Sequence, residues 1–141
     1  MDSNEFIIYH ITPTLNLSSI SDIGFIPKTE SPNYPPRIYF SFTIEDCVRV
    51  LVFKIGERDN VRHSFLVLRA RLEGIQLFRD QDPKVSQSFY IKDAITPDRY
   101  KIEKIINMSM DNFPLGFMNM YYRNLAEYIT STLHLKLKDF S

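Results

Sequence analysis

Few residues in this chain have side chains suited to chemistry, and two of them lie close together: His10 and Thr12 in IIYHITP, Ile7 to Pro13. An apolar run that ends in an imidazole and a hydroxyl sets hydrogen-bonding groups where a strand leaves the core. A second pair is Tyr39 and Ser41 in RIYFSF, two apart on a strand and therefore on one face. Each has a plain reading. His10 alone fits a core histidine satisfied by a backbone carbonyl, and Tyr39 fits the preference of aromatics for a half-buried pleated surface.

Other chemistries lack their residues. The three histidines are more than 50 residues apart and Cys47 is the sole cysteine, so neither metal-ligand spacing nor a disulfide is expected. Four scattered glycines make no phosphate-cradling loop. Seventeen basic and 17 acidic residues cancel, which removes a general attraction to nucleic acid or an anionic membrane. Arg62 and His63 read as an exposed pair, Arg69 and Arg71 as a solvated strand edge, His134 as incidental and Cys47 as a buried apolar residue. The acidic start MDSNEFIIYH is unlike a signal peptide, and no apolar window reaches membrane-spanning length. A cytoplasmic protein with no membrane contact is expected.

The elements that must position these residues follow from patterning. Glu5 to Ile11 reads as a buried strand. Leu17, Ile20 and Ile23 recur at helical spacing before Gly24, which suits a helix end. A loop with Pro27, Pro32, Pro35 and Pro36 follows, then RIYFSF as a second strand. Thr43 with Asp46 begins a helix that sets Ile44, Val48, Leu51 and Val52 on one face. HSFLVLRARL reads as a central strand, turning at Glu73-Gly74 into IQLF. After a polar loop from Arg79 to Ser88, FYIKDAI and YKIEKII read as strands. Met118, Tyr122, Leu125 and Ile129 mark a C-terminal helix, whose LHLKLKDF end also alternates like a strand. With 141 residues and 44% hydrophobic content, a single domain over residues 1–141 is expected.

In that order, YHITPTLNLSSISDIGFIPK, the proline-rich gap and RIYFSFTIEDCV resemble the N-terminal half of the ADP-ribosyltransferase family. That family reads Tyr-His-Gly/Xaa-Thr, a short helix ending GL/F-x-P, then xVYFS and a helix. The likeness covers roughly the first 55 residues, and SFYIKDAITPDRY is similar to the family's late strand and Ile-x-Pro turn. The resemblance implies an α+β fold: a split, mostly antiparallel β-sheet core with short helices and a C-terminal helix. It implies NAD as substrate and transfer of ADP-ribose to a macromolecular acceptor. The balanced charge favours protein over nucleic acid as that acceptor, and the small size and solitary domain favour a toxin or viral counter-defence factor over a housekeeping enzyme.

Such enzymes open the nicotinamide–ribose bond through an oxocarbenium-like state. They need groups that fix the ribose, an aromatic face for nicotinamide and a carboxylate to steady positive charge. By resemblance His10, Ile11, Thr12, Tyr39 and Ser41 bind NAD, with His10 on the ribose and Tyr39 on nicotinamide, both rings on one cleft wall. The catalytic set is His10, Tyr39, Gln87 and Ser88. The last two depart from the pattern, because Ser88 stands where the family has its glutamate. Glu73, Asp80, Asp82 and Asp93 are candidate substitutes. Without a carboxylate the alternative is a degenerate, non-enzymatic nucleotide-binding or protein-inhibitor module. A variant resembling RNA 2'-phosphotransferases would use Arg62, His63, Arg69 and Arg71 on phosphates.

Overall fold

The computed structural model describes residues 5–27, 36–49, 62–79, 87–108, 129–134 and 137. Its frame is a six-stranded sheet: β1 (Glu5–Pro13), β2 (Ile38–Ser41), β3 (His63–Arg71), β4 (Phe78–Arg79), β5 (Ser88–Ile91) and β6 (Tyr100–Met108). They run in the order β4-β5-β2-β1-β3-β6, and every registered pair is antiparallel. With its short helices, the molecule is of the α+β class.

Both sheet faces are covered, which is why β3 reads as apolar on both sides. Phe65 and Val67 face a cluster with Ile11, Val48, Ile129 and Leu133. Leu66 and Leu68 face another with Ile8, Phe25, Phe40 and Ile91. Helical residues 44–49 and 129–134 supply the first layer, and α1 (Leu17–Asp22) supplies Ile20 to the second. The expected cap is real: Thr43 Oγ1 accepts the Asp46 N–H at 3.2 Å, one of the orphan donors of a first helical turn.

Gly24 ends α1 as its type suggests. Its φ is +113°, a region that a side chain disfavours, and its N–H shares the Ser19 carbonyl with that of Ile23. A Cβ here would lie 2.1 Å from the Ile95 carbonyl oxygen, so the glycine also permits the Phe25↔Ile95 bridge. Tyr100 reaches from β6 to donate to the Ile20 carbonyl, and burial pushes its phenol up to about 12.

Three expectations change. IQLF contributes only Phe78 to a strand. The strand expected over FYIKDAI stops at Ile91, and Ile95 pairs with Phe25 instead. His63 is buried, 5% exposed, because it belongs to the central strand and pairs across to Pro13 and Met108. Met118, Tyr122 and Leu125, and most of the proline-rich loop, lie outside the described residues, whereas Ile129 is helical and core-packed as expected. Cys47 is buried, also as expected. Among the described residues no helix is long and apolar enough to cross a membrane.

Candidate functional site

The sheet is uneven at its middle. β1 pairs with β3 along its whole length, from Glu5↔Arg71 to Pro13↔His63, and β2 pairs with β5 from Ile38↔Ile91 to Ser41↔Ser88. Between β1 and β2, register holds at one position, Tyr9↔Ser41. The sheet therefore consists of β4-β5-β2 and β1-β3-β6 joined at a narrow seam. All five residues expected to bind NAD lie on the two strands that flank it: His10, Ile11 and Thr12 on β1, Tyr39 and Ser41 on β2.

His10 closes part of that seam. Its Nδ1 lies 2.6 Å from the Tyr39 carbonyl oxygen. A carbonyl only accepts, so the proton is on Nδ1, and in the neutral ring Nε2 is left as the acceptor. A side chain thus satisfies a β2 carbonyl where a paired strand would offer a backbone N–H. The ring packs against Phe25 and Phe40, both at 5.0 Å between centroids, and is 9% exposed. The plain reading of His10, a core histidine on a backbone carbonyl, describes this contact.

The expectation that both rings share one wall is overturned. His10 lies with Phe40, and Tyr39, the next residue on β2, points to the opposite face. There its ring meets Tyr90 at 5.8 Å and its hydroxyl accepts from Arg37 Nη1 at 3.4 Å. Strand alternation decides the outcome, because an odd and an even position flank the seam from two sides. Thr12 is buried on the His10 side, and its Oγ1 accepts from Asn16 Nδ2 at 3.3 Å. Ile11 is packed into the cluster beneath the helices.

Ser88 and Ser41 meet on the Tyr39 face. Their hydroxyl oxygens are 2.6 Å apart and both residues are buried. Gln87 is exposed, and its backbone ties β5 to the segment after β2: its N–H donates to Asp46 Oδ2 at 2.7 Å and its carbonyl accepts from Phe42 at 2.8 Å. Asp46 is the acid that sequence reasoning did not name here. Its second oxygen lies 3.5 Å from Arg49, so both oxygens have partners and the group acts as a clamp.

The other candidates are scattered. Glu73 follows β3 at the end where β1 begins, and Asp93 lies beyond β5 at the end away from Ser88; Asp80 and Asp82 lie outside the described residues. Arg62 and Arg71 stand at opposite ends of β3, about 30 Å apart at the rise of an extended strand, and Arg69 pairs with Glu103 at 2.7 Å. They form no common basic cleft. His134 is not idle: it pairs with Glu45 at 3.2 Å, linking helical residues 129–134 to 44–49. Among the described residues no group of three or more His, Cys, Asp or Glu is arranged for a metal ion.

Sequence reasoning missed an aromatic and cationic row on the Tyr39 face. Phe78 and Tyr90 stack at 5.2 Å, the Arg37 guanidinium lies 4.2 Å from the Tyr90 centroid, and Lys92 Nζ lies 4.4 Å from that of Phe78. The signal was the spacing Arg37-x-Tyr39 and Tyr90-x-Lys92, each on one strand face. What sequence lacks is the pairing of β2 with β5 that sets the two side by side. Comparison with known protein families, curated proteins and solved structures gives no match.

Proposed function

We propose that this chain is a nucleotide-binding module of the ADP-ribosyltransferase type that holds NAD or a related nucleotide at the β1–β2 seam without transferring ADP-ribose. The observation that carries the non-enzymatic part is the Ser41–Ser88 pair. At the position that the family pattern gives to its glutamate, two buried hydroxyls share one hydrogen bond, and neighbouring Asp46 is held by Gln87 and Arg49. Charge stabilisation of an oxocarbenium-like state, commonly several kcal/mol, has no source there. The binding part rests on the half-buried Tyr39 ring beside the seam of a split sheet, together with the likeness of the surrounding motifs to that family; His10 and Thr12 lie on the other face of the sheet and hold β1 in place.

The test is incubation with NAD labelled on the adenylate half, in buffer and in a cell lysate, alongside calorimetric titration of NAD and ADP-ribose. The expected result is saturable binding, nicotinamide release at the buffer rate and no labelled acceptor. Tyr39→Leu should weaken binding about 5- to 100-fold, the range of one lost ring–base stack, with its circular dichroism unchanged. Label transfer by the wild type would make the chain a transferase, and nicotinamide release with free ADP-ribose a hydrolase of NAD; either would overturn the non-enzymatic reading. Failure to bind NAD, ADP-ribose or ADP would remove the nucleotide reading.

A further inference from the structure

The pairing of β2 with β5 brings two cations to the same end of the strand pair. Ile38 pairs with Ile91 and Tyr39 with Tyr90, and Arg37 and Lys92 are the residues just beyond that register, one at the end of each strand. Like charges gathered at one end of a strand pair repel one another. Here each cation leans onto a ring of the same face, Arg37 onto Tyr90 and Lys92 onto Phe78. Beside them is the Tyr39 hydroxyl, which accepts from Arg37 and so keeps its own proton to donate. Lys92 is exposed and Arg37 partly so.

We propose that Arg37, Lys92 and the Tyr39 hydroxyl form a phosphate site for the bound nucleotide, walled by Tyr90 and Phe78. Two cations and a phenolic donor suit a dianionic, oxygen-rich group better than a single carboxylate. A guanidinium carries five donors in a fixed fork, so one that lies over a ring still offers N–H groups in its plane. The ammonium of Lys92 rides a flexible stem that can swing from Phe78 to an anion. The seam is one strand away, about 5 Å, which suits a phosphate joined to a nucleoside held beside Tyr39. The inference deepens the nucleotide-binding reading and rests on it.

The test compares ADP, adenosine, pyrophosphate and inorganic phosphate by calorimetry on wild type, Lys92→Gln, Lys92→Arg and Arg37→Gln. Lys92 is exposed, so its variants should fold even if Arg37→Gln does not. The expected result is that wild type binds ADP more tightly than adenosine. Lys92→Gln should lose roughly tenfold on ADP, the scale of one charge-assisted hydrogen bond, with adenosine unchanged and Lys92→Arg largely restored. Unchanged ADP affinity in Lys92→Gln would overturn the phosphate site while leaving nucleotide binding intact. Lys92-dependent binding of pyrophosphate with no nucleotide bound would support the anion site and overturn the nucleotide reading. Inorganic phosphate binding as tightly as ADP would make free phosphate the ligand, and no binding of any probe would end both.

Discussion

Ser41 and Ser88 form a structural pair that joins β2 to β5 inside the fold. Two hydroxyls at 2.6 Å inside the fold satisfy each other, and removing one leaves the other buried with less to bond. Ser88→Ala and Ser41→Ala should each destabilise by about 1–3 kcal/mol, and the double variant by clearly less than the sum. Urea unfolding of the four proteins measures that coupling, and strict additivity would show that the hydroxyls do not depend on each other. The same burial means that Ser88→Glu would force a carboxylate into a closed site at a cost of several kcal/mol. At this scale the sequence was partly legible. It marked His10, Tyr39 and Ser88 as the positions to examine, but not which face each side chain takes, because one residue of register reverses every side chain. Asp46 was read as the helix-start partner of Thr43; its bond to the Gln87 N–H depends on a contact 41 residues away.

Elements were easier to read where their signal is local. The apolar run of β3, the Gly24 stop and the Thr43 cap all follow from near neighbours, and all are present. β4 and the end of β5 were not, since two-residue strands and single bridges are fixed by the partner rather than by composition. The contact between β6 and α1 has a measurable consequence. Burial raises the Tyr100 phenol from an ordinary value of 10.0 to about 12, and burial raises that of Tyr9 as well. A raised folded-state value means the unfolded chain loses its proton first, so this contribution is complete below pH 10 and is lost as pH climbs through about 12. Denaturant midpoints should therefore fall between pH 10 and 12, and Tyr100→Phe should flatten the decline while lowering stability near neutrality by about 1 kcal/mol for the lost Ile20 hydrogen bond. An equal alkaline decline in both proteins would assign it elsewhere.

For the whole molecule, the α+β class and both core faces were legible from patterning, whereas the strand order was not, since it rests on long-range pairings. Nor was the seam. Between β1 and β2 the backbone is tied at one rung and one imidazole, while the apolar cluster of Ile8, Phe40 and Leu66 spans both halves, so the hydrogen-bonded ladder should open more easily on the β2–β5 side. By hydrogen–deuterium exchange, amides of β1 and β3 should be the slowest, exchanging near the global unfolding free energy, and those of β2 and β5 should exchange through a smaller opening. Matching protection across all four strands would contradict this. If the difference holds, the two halves are separate foldons, and the His10 ring is the latch between them. Anything lodged there would be recorded less as a change of shape than as a gain in shared cooperativity, with the weaker half borrowing the protection of the stronger.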